Sequence, residues 1–357
     1  MPTTARPTKG RGATANPASR YRMTAVDPVD DGWPAADSPE ASVRTTVTAD
    51  PARSVLSFNT SPDVPFDRSV NPYRGCEHGC IYCYARPSHA WLELSPGLDF
   101  ETRLFAKHDA ANVLAAELRR PGYQPAPIAL GANTDCWQPV ERDLRISRAV
   151  LELLHDCGHP VTIVTKSSGI ERDVDLLAAM AGRNLVHVAV SVTTLDPELA
   201  RRMEPRAAAP WRRLETIRRL SQAGIPVHVL VAPVIPALNE PEIESILEAC
   251  AQSGAAAAGY VTIRLPLEVN TLFAQWLNEH YPDRARRVLH GIESLHGGRR
   301  YDRRFGHRQR GNGERAKIIA KRFEIAMRRH GLGSELPRLD LGQFQPPPAC
   351  GDQLNLF

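Results

Sequence analysis

No window of this 357-residue sequence reaches the apolar length of a membrane span, about 20 residues, so no membrane role is expected. No apolar leader follows Met1-Pro2-Thr3-Thr4 either, which argues against secretion. Cysteine is scarce and odd in number, seven in all, which suits the reducing cytosol rather than a disulfide framework and predicts a cytoplasmic protein. Charge of one sign is not in large excess: the net charge is a mild +4, so its uneven distribution matters more than the total. What is present is an apolar fraction ample for a buried core. The length suits one barrel-type domain with appendages, or two ordinary domains.

Three of the cysteines fall in one run, Cys76-Glu77-His78-Gly79-Cys80-Ile81-Tyr82-Cys83, spaced CxxxCxxC. A 4Fe-4S cubane normally takes four thiolates. Three on one short loop would wrap such a cluster and leave one iron open to a small ligand. A structural zinc site is the alternative, because Cys80 and Cys83 form a CxxC that His78 or His89 could complete to a tetrahedron. Zinc sites of that kind usually bring two matched ligand pairs, and no second pair follows downstream. Cys157 and Cys250 read as helix-core residues, and Cys350 has no ligand-like neighbours.

The chain divides by composition. Residues 1–43 are rich in Pro, Ala, Thr, Ser and Gly with little apolar periodicity, and read as a disordered arm. From residue 44 to about 270, short apolar runs recur, each followed by a helical pattern: Ser69 to Arg74, Ile128 to Asn133, Val161 to Lys166, Val186 to Val192, Val227 to Val234 and Tyr260 to Leu265. A helix is expected over Glu141 to Cys157, where Leu144, Val150, Leu151, Leu154 and Cys157 share one face. Alternating strands and helices imply a parallel sheet with right-handed crossovers. Six repeats suit a partial (βα)6 barrel better than a doubly wound sheet, although periodicity alone does not separate the two. In such barrels the chemistry lies at the C-terminal strand ends, and the cysteine loop directly follows the first strand signal.

With those motifs in hand, a family resemblance emerges. The runs Asn59-Thr60-Ser61-Pro62-Asp63, Ser69-Val70-Asn71-Pro72-Tyr73-Arg74-Gly75-Cys76, Tyr84-Ala85-Arg86-Pro87-Ser88-His89 and Ser95-Pro96-Gly97-Leu98-Asp99-Phe100-Glu101 resemble the spore-photoproduct-lyase-like branch of the radical SAM superfamily, over about residues 44–270. The resemblance implies an α/β fold, a partial (βα)6 TIM-type barrel, with a 4Fe-4S cluster on Cys76, Cys80 and Cys83. It implies S-adenosylmethionine (SAM) as second cofactor, chelated by the open iron and cleaved to a 5'-deoxyadenosyl radical with electrons from an external donor. A lyase reaction in DNA repair follows by the same likeness. Residue by residue, it assigns SAM contacts to Tyr82 in the cysteine loop and to Asn133 and Asp135 in Asn133-Thr134-Asp135-Cys136-Trp137-Gln138-Pro139. Lys166 of Thr165-Lys166 would meet the SAM carboxylate. Ser191, Thr193 and Arg206 would line the fourth strand end, and the run Ala232 to Glu240 stands where the superfamily packs adenine. Cys136 is the candidate hydrogen-atom donor, although it follows Asp135 where the family's cysteine precedes its Asp; a buried apolar filler is the other reading.

Beyond the barrel, residues 271–340 read as a basic helical extension. Its run Arg299-Arg300-Tyr301-Asp302-Arg303-Arg304-Phe305-Gly306-His307-Arg308-Gln309-Arg310 interleaves guanidinium groups with aromatic rings, which suits phosphate contacts and base stacking, and continues through Arg315, Lys317, Lys321 and Arg322. Nucleic acid is therefore the expected partner; a solvated basic arm is the plain alternative. Residues 341–357 read as a Pro-rich linker with a terminal docking peptide, in which Gln353, Leu354, Leu356 and Phe357 resemble the motif that docks repair factors on the bacterial sliding clamp. Two other functions stay open: the same radical chemistry on a peptide or small molecule, and a non-catalytic DNA-associated iron-sulfur protein.

Overall fold

A computed structural model describes residues 9–22 and 44–348. Its main sheet has strand order β10-β9-β8-β7-β6-β3-β2, with β2 Leu56–Phe58, β3 Arg68–Val70, β6 Ile128–Leu130, β7 Val161–Thr165, β8 Val186–Ser191, β9 Val227–Val234 and β10 Ala257–Thr262. Six strands of this sheet, β3 and β6 to β10, pair in parallel, each with the next of the six in chain order, as a (βα)6 barrel wall requires. β2 closes one edge antiparallel to β3. The strands are short and rich in Val, Ile and Ala, and the residues facing the helices are buried throughout. Among the described residues no helix is long and apolar enough to cross a membrane.

All six strand signals correspond to observed strands, with shifts in their bounds. The first run does not continue from Ser69 to Arg74. Pro72 has no N–H to give to a ladder, so the chain leaves the main sheet after Val70. Tyr73–Arg74 (β4) then joins a second, three-stranded sheet with β1 Thr46–Ala49 and β5 Arg103–Ala106, in the order β1-β5-β4. That small sheet ends immediately before Cys76 and anchors the cysteine loop. The sixth strand runs Ala257–Thr262, three residues earlier than the apolar run suggested. The expected helix 141–157 is two helices, Glu141–Leu144 and Ile146–Asp156, broken at Arg145 with φ +54. Glu141 causes the break: its carboxylate accepts the backbone N–H of Ser147 at 3.0 Å, capping the second helix in place of continuing the first.

The ends differ from their composition. Residues 9–22, inside the stretch read as a disordered arm, lie against the barrel, because the N–H groups of Gly12 and Ala13 donate to the buried Glu101 carboxylate at 2.9 and 2.8 Å. The rest of that arm, 1–8 and 23–43, lies outside the described residues. Residues 338–348, partly read as linker, pack across the N-terminal strand ends: Asp340 N donates to Asn184 O, Gln345 N donates to Cys157 O, and Phe344 rests 5.2 Å from the His159 ring. The basic extension is helical as expected, in Pro282–Leu295 and Gly313–Arg329. It is also structural. Trp276 on the helix Glu268–His280 and Val288 and Ile292 on the next form one apolar cluster with Cys80, Ile81 and Tyr82, while Arg315 and Arg322 pair with Glu240 and Glu244.

Candidate active site

The cysteine loop turns on two glycines at positive φ, Gly75 at +80 and Gly79 at +68. A Cβ on Gly79 would stand 2.7 Å from Glu101 Oε2, so the tight path is open to glycine alone. Cys76 and Cys80 are buried and Cys83 nearly so. Backbone bonds from Cys76 N to Phe100 O and from Ile81 N to Met203 O tie the loop at both ends. Gln138, in the loop after β6, straddles it: Gln138 Oε1 accepts Glu77 N at 2.8 Å and Gln138 Nε2 donates to Gly75 O at 3.2 Å.

The three thiols fit a cationic cluster. Burial pushes each upward, Cys76 most clearly, and Asp135, Cys80 and Cys83 add to its rise. Three neighbouring buried thiolates are unfavourable alone and become favourable around soft, positively charged metal. Three cysteines on a loop this short match in number the thiolates that a cubane with one open iron would take, while among the described residues no three metal-ligating side chains are already drawn together as a metal site.

Strand ends from β6 to β8 converge beside this loop. Asp135, after β6, accepts from Thr165 Oγ1 at 2.8 Å, from Lys166 N at 2.7 Å and from Trp137 N at 2.9 Å, and His78 Nδ1 lies 3.3 Å from its Oδ2. Burial would raise this carboxyl, but His78 and the two backbone donors outweigh it and hold the pKa below the ordinary value. Asp135 thus joins the cysteine loop to the end of β7 and fixes Lys166. The Lys166 ammonium stands 5.9 Å over the Tyr82 ring, with its pKa lowered by burial against the attraction of Cys80.

A second buried network holds Tyr82. Its hydroxyl donates to Glu204, which also accepts from Thr193 Oγ1 at 2.7 Å and pairs with the Arg213 guanidinium. Arg213 Nη1 donates to Ser191 O at 3.1 Å. Burial raises the Glu204 carboxyl and Arg213 opposes that rise. Tyr82 and Thr193 therefore meet around one carboxylate, and the Ser191 backbone joins them through Arg213. Arg206 is turned toward the cysteine loop, its Nη2 3.0 Å from Glu77 Oε1. Asn133 is exposed at the rim, its backbone N–H on Asn71 Oδ1. Cys136 is not brought to this group: it is fully buried in the main apolar cluster, where burial and Asp135 raise its thiol beside Ser147 and the Gly131 backbone.

Sequence reasoning missed the residues that brace the loop. Arg86 is wholly buried and donates to Cys80 O at 2.9 Å, Gly79 O at 3.0 Å and Gly97 O at 2.9 Å, and to Glu101. Tyr84, directly after Cys83, is half exposed with its ring 4.9 Å beneath the Arg264 guanidinium. The signal for Arg86 was its place in Tyr84-Ala85-Arg86-Pro87-Ser88-His89; nothing in the sequence said that it would be buried.

A protein-family profile described as the Radical SAM superfamily matches residues 70–250. The chain is 38% identical over 222 residues to an uncharacterized protein of Mycobacterium tuberculosis, covering 62% of this chain and 65% of that relative's length. It is 23% identical over 214 residues to an uncharacterized protein of Methanocaldococcus jannaschii, covering 60% and 76%. Among solved structures, spore photoproduct lyase complexed with dinucleoside spore photoproduct has a TM-score of 0.60 at 14% identity over 82% of both chains. A variant of that enzyme with bound AdoMet and the same dinucleoside gives the same figures. At this identity the likeness is one of fold.

Proposed function

The chain belongs to the radical SAM superfamily, and from that membership we propose that it is a SAM-cleaving enzyme acting on nucleic acid in a photoproduct-lyase-like repair reaction. Its cofactors are those of the superfamily, a 4Fe-4S cluster and SAM. Together they supply a 5'-deoxyadenosyl radical when an external donor provides an electron. In this reading Cys76, Cys80 and Cys83 hold three irons. Lys166, directed by Asp135, neutralises the SAM carboxylate. Tyr82 and Thr193, gathered by Glu204, and Ser191, held through Arg213, shape the wall beside it, with Asn133 at the rim. Arg206 acts through Glu77 on the loop itself.

The observation that carries nucleic acid as substrate is the loop 296–312 at the barrel mouth. Gln309 O accepts both the N–H and the hydroxyl of Thr262 at the end of β10, at 2.8 and 3.0 Å, so the arginine-rich run is docked beside the site. Arg299 and Arg303 lie on that loop with the exposed Phe305, a combination suited to phosphate and base. A base inside a duplex would have to be flipped to reach the barrel. The fold shared with an enzyme complexed with dinucleoside spore photoproduct supports the same reading. The test is anaerobic 5'-deoxyadenosine release with SAM and a reductant, with and without ultraviolet-irradiated DNA. Yield raised by irradiated DNA supports the proposal; yield raised instead by peptide fractions transfers it to the other substrate class.

The clamp-docking peptide, Gln353 to Phe357, lies outside the described residues and belongs to the same proposal as a means of raising the enzyme's concentration on DNA. Equal retention on the bacterial sliding clamp by the full chain and by one lacking residues 353–357 would refute it.

A further inference from the structure

Four separate segments meet at the N-terminus of the helix Glu268–His280. From one side Arg20 Nη1 reaches Glu268 Oε1 at 2.5 Å, and from the other Arg300 Nη1 reaches Asn270 Oδ1 at 3.4 Å. Beside Arg20, Tyr21 stacks on Trp91 with ring centroids 4.5 Å apart. Trp91 is still 70% exposed, so one face of the stack is open. Leu267, at the helix N-cap, is 63% exposed and holds φ +49, ψ −126, a conformation that suits glycine. A large apolar residue that is both exposed and strained adds little to the core, and glycine would sit there at lower cost. Three residues earlier Arg264 leaves β10 over Tyr84, and its buried Nε has no hydrogen-bond partner among the described residues.

We infer that this rim is a stacking platform for an unpaired nucleic-acid strand next to the base that enters the barrel, an inference that rests on nucleic acid being the substrate. Aromatic faces accept any base, an apolar step separates neighbouring bases, and a guanidinium takes the intervening phosphate. Trp91 with Tyr21 supplies the face, Leu267 the step and Arg264 the phosphate contact. The open aromatic face, rather than charge, is what favours this ligand. Arg20 is already paired with Glu268 and Arg300 with Glu293, so the patch offers an open aromatic surface more than net positive charge.

The experiment is fluorescence anisotropy of a short labelled single-stranded DNA, and of its duplex, with the reconstituted full chain. Trp91→Ala should weaken single-strand binding about tenfold, the loss of one stacked base, with a smaller change for duplex. Leu267→Gly should also weaken it, and as a strain-relieving change it keeps the fold. Trp211→Ala removes a tryptophan that is 67% exposed on the outer helix Pro210–Gln222 and should change nothing. If the parent binds DNA and both rim variants bind it equally well, the platform is refuted while nucleic acid stands as substrate. A parent that binds no nucleic acid refutes both. Rim variants that keep DNA affinity but lose reduction by an acidic one-electron carrier protein would make the rim a protein-docking surface and overturn the inference.

Discussion

Arg86 shows how much of this site rests on single buried groups. A wholly buried guanidinium is costly unless its N–H groups are paired, and here they are spent on carbonyls of the cysteine loop and on Glu101. Arg86→Leu leaves Glu101 and the loop carbonyls without that donor, so a stability loss on the order of 3–5 kcal/mol is expected, read as a lower unfolding midpoint in denaturant together with faster iron loss to a chelator. Arg86→Lys keeps the charge but not the fork, and should restore less than half of that loss. The cysteines divide by the same reasoning. Alanine at Cys76, Cys80 or Cys83 should abolish the visible absorption of the reconstituted cluster and with it 5'-deoxyadenosine formation. Alanine at Cys136 should leave both intact, since that thiol is packed among core residues; altered products with intact SAM cleavage would instead make it the hydrogen-atom donor.

At the scale of elements, the segment 9–22 behaves as part of the cluster loop's housing. A Cβ on Gly12 would fall 1.8 Å from Gly79 O, so the two backbones are in direct contact, and the N–H groups beside that contact end on Glu101, which in turn meets Arg86. Gly12→Val should lift this segment. Expected are a new protease-sensitive site within residues 9–22, faster iron loss and weaker SAM binding, with unchanged barrel circular dichroism; unchanged iron retention would reduce the segment to a passive cover. None of this was legible in the sequence. The six strands were, because buried apolar runs of parallel strands announce themselves by composition, and so was the triplet of cysteines. The anchors of residues 9–22 are backbone donors and a glutamate about ninety residues away in sequence, which no local pattern can report. The split at Arg145 was hidden likewise, since the apolar face continues through it while Glu141 caps a new helix. Of the residues expected to contact SAM, Tyr82 came from the cysteine loop, and Asp135, Lys166, Ser191 and Thr193 from strand ends read through the family resemblance. Glu204, which accepts from Tyr82 and Thr193 and pairs with Arg213, was passed over although it stands two residues before Arg206.

For the whole molecule, the two ends of the barrel have opposite electrostatic tasks. The C-terminal strand ends gather charge around the cysteine loop. The N-terminal ends are closed by residues 338–348 and by histidines kept neutral. His159 is fully buried, accepting from the Tyr123 hydroxyl at 2.8 Å and donating through Nδ1 to Pro160 O at 2.9 Å, with Phe344 against its ring. Burial lowers its pKa to about 4, and burial together with His187 lowers that of His228 to about 4 on neighbouring β9. Because these folded-state values lie below the ordinary histidine value of about 6.5, the unfolded chain binds more protons between them. Stability from these groups is therefore full above about pH 6.5 and is lost as pH falls toward 4. The unfolding midpoint should drop over that window, before the carboxylates titrate. His159→Gln, which keeps hydrogen-bonding capacity but does not titrate, should flatten the drop and cost little stability at pH 7. Thermal scans of parent and variant across the window decide it: parallel curves would mean that His159 is protonated in the folded protein and that this end of the barrel is wetter than its burial implies.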